Sequence, residues 1–360
     1  MRDKTMSVWQ AGICLFIIIF ANKILLLPSL LYRLANIEGM FAYLISFTLE
    51  IGLLTLFIFV KRKYTNISFS QLVREKLGVI TLKIFYILLC LFFFCKLILI
   101  YNVTYIFFKD LIYKNSDSFL FIICLLPIIN YLAYSSPRVL GRTAMVFFPI
   151  ILIVLIFCTV TSLISVNDTP LFFQSSALNV FLATIKHISS FGDVIFLFVF
   201  MDKIEYKKGD GKKLYFFAGL AIFFVLLIAV AFYFSYTYTS FMHPYAIFET
   251  MGNIKDYGGL GRIDAVAVIL VIILTYFQMS IYLKSFTISF KEIFPKLSLN
   301  YALISFDFLF LIVVYLLVRN LERTILYAES VLPYFSLISF VLVPITSVVF
   351  LAMKRKREDK

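Results

Sequence analysis

Long apolar runs alternate with short polar loops along almost all of this 360-residue chain. A helix that crosses a bilayer needs about 20 largely apolar residues. Ten runs approach that length: 7–32, 39–60, 80–113, 119–134, 140–165, 177–201, 214–238, 263–290, 299–318 and 331–353. Between the second and third, the stretch 68–77 reads as a short amphipathic helix. Between the seventh and eighth, 239–261 carries a short helical pattern through Met251. Pro149 is expected to bend the fifth run, because a proline removes one backbone bond from a helix.

Two runs are interrupted. The first holds Ala21-Asn22-Lys23-Ile24 near its middle, before Leu25-Leu26-Leu27-Pro28 closes the break. A charge at that depth costs at least about 2.5–3.5 kcal/mol, so it is paired, faces water, or has a task. The sixth run is broken by Ser189-Ser190-Phe191-Gly192-Asp193. The two broken runs stand five apart, an odd number, so they cross the membrane in opposite directions. That pattern predicts an inverted repeat with a ligand site at the midplane, where both helices unwind. Exposed backbone groups at that depth must line a cavity or bind something. The half-helix N-termini offer positive dipole ends suited to a carboxylate. The expected fold is an all-α integral membrane protein of about ten transmembrane helices with a 5+5 inverted repeat. The expected organisation is one polytopic domain over 1–360, with repeats at about 7–165 and 177–353.

Composition agrees with this. The chain is 62% hydrophobic and 15% charged, with mean hydropathy +0.99, against about 45–50% apolar in a soluble domain. The net charge of +13 raises nucleic acid as a partner, but its placement removes it. The loop Lys61–Lys63, Arg138, the loop Lys203 to Lys213, Lys291, Lys296 and the tail Lys354–Arg357 all fall on one side. The opposite loops carry Arg33, Lys114, Lys255, Arg262, Arg319 and Arg323. The positive-inside rule assigns the richer side, with both termini, to the cytoplasm. The first run lacks a small-residue cleavage site and is expected to be a mature helix. The five cysteines, Cys14, Cys90, Cys95, Cys124 and Cys158, lie inside apolar runs and match no zinc or disulfide spacing. Gly258-Gly259-Leu260-Gly261 precedes a membrane helix without a preceding strand, so it reads as a turn and not a nucleotide loop. No nucleophile–base constellation or metal-ligand spacing points to an enzyme, a metal or a cofactor.

The chain resembles the amino acid–polyamine–organocation superfamily, with its LeuT-like fold. Within it, the chain resembles the B subunits of spore germinant receptors, the GerAB-like permeases. Carrying the resemblance are Trp9-Gln10-Ala11-Gly12-Ile13, Leu25-Leu26-Leu27-Pro28 and Glu50 within Leu-Glu-Ile-Gly. To these add Ser70-Gln71-Leu72, Leu77-Gly78 and Ser190-Phe191-Gly192-Asp193. The resemblance covers essentially the whole chain in length, segment count and loop sizes. Where relatives carry small residues of a Gly-Ala-Gly type, this chain has Ala21-Asn22-Lys23. The resemblance implies a small nutrient ligand such as an amino acid, bound between segments one, three, six and eight. It also implies an A subunit and a lipoprotein C subunit as partners, in the spore inner membrane. A proton-coupled amino acid transporter of the same fold is the alternative.

The intramembrane polar residues frame the chemistry. Lys23 has three readings: it binds a ligand anion, it stands in for a coupling cation, or it is a structural charge, paired with Glu50 or Asp193 or snorkelling if the span is shifted. Glu50 is either a proton relay or a structural acid. Lys96 is expected to pair with an acid or point into a vestibule. Lys186 and His187, just before the second break, gate or attract an anion, or form a hydrated rim. Tyr101 with Asn102, and Tyr276, Gln278 and Ser280, are further polar candidates. Helical spacing gives them different faces, so only some reach the cavity. Asp307 is expected near the cytoplasmic interface.

Overall fold

The computed structural model describes residues 5–65, 67–111, 118–164, 166, 174–252, 264–317 and 321–353. The Gly258–Gly261 turn, Lys114, Lys255, Arg262, Arg319 and the basic tail lie outside the described residues.

The expected segments appear as helices in order. The first is split into α1 (Val8–Ala21) and α2 (Leu27–Ala35). Next come α3 (Gly39–Lys63), the short surface helix α4 (Phe69–Leu77) and α5 (Val79–Leu111). After them run α6 (Ser118–Tyr134) and α7 (Pro137–Ile164). The sixth segment is split into α8 (Ala177–His187) and α9 (Ile195–Val199). The second half continues with α10 (Gly211–Tyr236), α11 (Ala246–Gly252), α12 (Asp264–Ile293) and α13 (Leu299–Leu317). The last segment is α14 (Leu321–Ser330), α15 (Leu332–Leu337), a π-helical turn Ile338–Leu342 and α16 (Val343–Ala352).

Local sequence sets the helix starts. Ser7 caps α1 and Ser68 caps α4, each in a reciprocal box with the glutamine three residues on, Gln10 and Gln71. Pro28 sits in the first turn of α2, where its missing N–H costs nothing. One expectation needs correction. The tenth helical run begins at Leu321, not at 331, because 321–330 forms an amphipathic helix before the turn at Val331. Pro149 lies inside α7, which runs on as helix on both sides of it.

Helix α1 is apolar all round and is buried on every side from Gln10 to Ala21. Its Gly12 lets α10 approach closely: a Cβ there would lie 2.2 Å from the Phe217 ring. By contrast, α7 turns Val146, Ile150, Ile153, Phe157 and Val160 outward, at the spacing of one helical face. With no aqueous partner for that stripe, its natural solvent is lipid.

One departure from an all-helical chain is small. Strand β1 (Met6–Ser7) pairs in parallel with β2 (Ile204–Glu205). The pair joins the start of the first segment to the end of the sixth, so those two segments run in opposite directions, as the spacing predicts. The same face is bolted by the end of α3. Lys61 Nζ donates to Met201 O at 2.5 Å and Thr65 O at 2.8 Å. Lys63 Nζ donates to Phe350, Leu351 and Met353 carbonyls at 3.1, 2.6 and 2.6 Å. Both ends of the described chain therefore lie on one face, called the terminal face below. A lysine among the last carbonyls of a helix completes bonds the helix cannot make itself. Lys63→Met is expected to lower stability by about 1–2 kcal/mol, read as a lower unfolding midpoint of the detergent-solubilised chain. Lys212→Met, at the exposed start of α10, is expected to leave that midpoint unchanged.

Candidate functional site: a charge cluster between the two breaks

The first break spans Asn22 to Leu26. Lys23 N–H still bonds Phe20 O at 3.1 Å, but the chain then turns out of α-helix. Its freed carbonyls are taken by neighbours: Tyr43 hydroxyl donates to Lys23 O at 3.0 Å. Ala246 N–H reaches Leu25 O at 3.2 Å and Ile247 N–H reaches Ile24 O at 3.4 Å, which ties α11 over this break. In the second break, residues 188–190 form a single 3-10 turn, Phe191 is extended and Gly192 has φ +80°. The π-helical turn packs on it, with Ser339 and Phe340 closest to Gly192.

Four charged side chains, all fully enclosed, join the breaks. Asp193 is the hub. Its Oδ2 accepts from Lys23 Nζ at 2.7 Å, and its Oδ1 accepts from Lys96 Nζ at 2.6 Å and from Tyr282 hydroxyl at 2.5 Å. Lys96, on α5, also donates to Phe191 O at 3.1 Å. Glu50, on α3, accepts Asp193 N–H on Oε1 at 3.1 Å, while its Oε2 lies 3.6 Å from Lys23 Nζ. The Lys23 ammonium also stands 5.0 Å from the centroid of the Phe191 ring. Two ammoniums thus face two carboxylates. The balance matters, because a buried unpaired charge is far more costly than a buried neutral group.

The half-helix amide expected to receive a ligand carboxylate is already taken. Asp193 N–H, just before the second half of segment six, is bonded by Glu50. Lys23, in turn, sets its ammonium against Asp193 Oδ2. The site is self-satisfied, apart from a few orphans. Asn22 Nδ2, Glu50 Oε2 and Ser339 Oγ are buried without a hydrogen-bond partner. A buried polar atom left unpaired marks a place where another partner is expected.

Not every sequence candidate reaches the cluster. Lys23, Glu50, Lys96, Phe191, Gly192 and Asp193 do. Ala21, Asn22 and Ile24 flank it in the first break, and Ser189 and Ser190 precede it in the second. Ser189 hydroxyl donates instead to Ala328 O at 3.1 Å, which ties segment six to α14. Tyr101 is turned away: its ring packs on Phe121 and Phe310. It lies five residues beyond Lys96, about 140° further round the helix. Tyr276 is half-buried and its carbonyl accepts from Ser280. Lys186 is exposed. His187 is buried with Nε2 at 3.8 Å from Glu329 Oε1, away from the charges. Asp307 accepts from Asn130 Nδ2 at 2.7 Å, between α6 and α13.

Tyr282 and Tyr43 are the contributors that sequence reasoning missed. A signal for Tyr282 is present. Thr275, Gln278, Tyr282, Ser285 and Ser289 recur at spacings of three and four along α12, and all five are buried. That is one helical face, and Tyr276 with Ser280 lies on another.

Two broken, oppositely directed helices meeting at a buried polar centre define a membrane protein of the LeuT-like transporter fold. Among solved structures, the chain is similar to Mhp1, a nucleobase-cation-symport-1 family transporter, in a closed conformation with bromovinylhydantoin bound. The TM-score is 0.55 at 12% identity, over 87% of this chain and 73% of that one. At that identity the likeness is one of fold. No protein-family model and no curated protein matches the chain.

Proposed function

We propose that this chain binds a small zwitterion, an amino acid by preference, at the paired breaks and acts as a nutrient-sensing membrane subunit. The observation that carries the reading is the neutral cluster of Lys23, Lys96, Glu50 and Asp193. A ligand with only an anion or only a cation would leave that enclosed site with net charge. A zwitterion brings its own balance: its carboxylate competes with Glu50 and Asp193 for the lysines, and its ammonium competes with the lysines for the carboxylates. The orphaned Asn22 amide and Glu50 Oε2 offer it further contacts. Because the cluster is enclosed, entry requires the bundle to open, so binding is linked to a change of state.

The finer identity rests on the sequence resemblance. It makes the chain the B subunit of a spore germinant receptor, working with an A subunit and a lipoprotein C subunit in the spore inner membrane. The terminal face is then cytoplasmic by the positive-inside rule. The whole chain acts as one polytopic domain with repeats at about 7–165 and 177–353. Lys23 supports a sensor over a cation symporter, since a tethered ammonium cannot be released on the far side. The second reading, a proton-coupled amino acid transporter, draws on Glu50, whose Oε2 has no hydrogen bond and is free to take a proton.

The test uses the full chain in lipid nanodiscs with a panel of the common amino acids, their amides and their N-acetyl derivatives. At least one zwitterion is expected to raise the unfolding midpoint, while its two singly charged derivatives do not. No shift across the panel, or equal shifts from the derivatives, overturns the reading. In proteoliposomes the sensor predicts no uptake of that amino acid under a pH gradient, and the transporter predicts uptake.

A further inference from the structure

On the terminal face, a cavity of about 740 Å³ lies between α4, the turn joining α6 to α7, and the end of α12; neither break contributes a residue to its lining. Four cations line it, Arg74, Lys203, Lys284 and Lys291, against one carboxylate, Glu292. Lys203 is paired with Asp202. Among the described residues, Arg74, Lys284 and Lys291 have no ion-pair partner.

Lys284 is the informative one. Its residue is only 6% exposed, and its ammonium has a single acceptor, the Ser135 carbonyl at the end of α6, at 2.7 Å. An ammonium has three donors, so most of its capacity is unused in a setting where a cation needs compensation. Arg74 adds a planar fork suited to two oxygens of one anion. Lys291 lies two turns further along α12 than Lys284, on the same side of that helix. The volume is that of a ligand site and not of a single small ion. Tyr134 lines the cavity and is exposed, and Val139, Phe294 and Leu297, within two residues in sequence of the lining Pro137 and Pro295, are exposed as well. Cationic depth with an apolar margin, at one end of a membrane bundle, suits the phosphate end of an amphiphile or of a soluble phosphate ester.

We infer that this pocket binds a phosphate-bearing anion, held by Arg74, Lys284 and Lys291. The inference is independent of the ligand proposed at the breaks.

The test uses the full chain, stripped of lipid in non-ionic detergent. Three probes are titrated: dioleoylphosphatidylglycerol, dioleoylphosphatidylcholine and inorganic pyrophosphate. The variant is the pair Arg74→Gln and Lys291→Gln. Both side chains are exposed, so the unfolding midpoint is expected to stay that of the wild type. Binding of phosphatidylglycerol or pyrophosphate is expected to exceed that of phosphatidylcholine, and to weaken at least about tenfold in the variant. Phosphatidylglycerol that pyrophosphate does not displace assigns the pocket to a lipid headgroup. Pyrophosphate that binds and displaces the lipid assigns it to a soluble phosphate. Equal binding of phosphatidylglycerol and phosphatidylcholine with no pyrophosphate binding overturns the inference. So does a variant that binds like the wild type.

Discussion

Asp193→Asn is expected to destabilise the folded chain by about 3–5 kcal/mol, a large share of the about 5–15 kcal/mol that holds a typical domain. Asparagine keeps the shape and part of the hydrogen bonding of Asp193 but removes its charge. Two enclosed ammoniums, Lys23 and Lys96, are then left with one carboxylate, Glu50. The shorter contacts are the ones lost, since Glu50 Oε2 is 3.6 Å from Lys23 while Asp193 Oδ2 is at 2.7 Å. Tyr282 hydroxyl loses its charged acceptor at the same time. The expected result is little monodisperse protein after extraction, and a markedly lower unfolding midpoint in what remains. A variant as stable as the wild type would mean that water reaches the cluster and screens it.

Gly192→Ala is expected to cost about 2–6 kcal/mol, from backbone strain and overpacking together. The backbone there has φ +80°, which side chains with a Cβ rarely adopt. The added methyl would also lie 2.8 Å from Ser339 Cβ and 3.1 Å from Phe340 Cε2. These belong to the π-helical turn of the last segment, a type of turn that recurs at functional sites. Gly209 supplies the contrast. It has φ +102° and nothing within 4 Å of the place a Cβ would take, so Gly209→Ala carries the strain alone, about 1–2 kcal/mol. The difference between the two unfolding midpoints measures how tightly the second break is seated on that turn.

Both breaks were legible in the sequence for the same reason. Lys23 and the Ser189–Asp193 stretch are polar where lipid allows almost nothing polar, so they stand out without any structure. Their spacing, five segments apart, carried the opposed directions that the β1–β2 pair now makes concrete. The partners were harder to read. Lys96 sits in a run of phenylalanines and leucines, and nothing local says that its carboxylate lies in the second break. Tyr282 was hidden because α12 is buried on every side from Phe277 to Thr287, so that no apolar–polar contrast marks its inward face. Only the weak stripe of Thr275, Gln278, Ser285 and Ser289 betrays it. Tyr101 and Tyr276 drew attention by residue type, while helical phase sends them elsewhere. The start of the tenth helical run was missed because Glu322, Arg323 and Glu329 make 321–330 read as loop, although its apolar positions repeat with helical period.

The most direct test of the account is a double-mutant cycle on Lys23→Met and Asp193→Asn, read as unfolding midpoints of the full chain without ligand. Each single change leaves the enclosed cluster with one unit of net charge, and the double change restores neutrality. The account predicts that the double variant is more stable than Asp193→Asn alone, with a coupling of at least about 1.5 kcal/mol, in the range found for contacting pairs. Destabilisations that simply add, with no recovery in the double variant, would contradict the claim that these two residues hold the broken helices together.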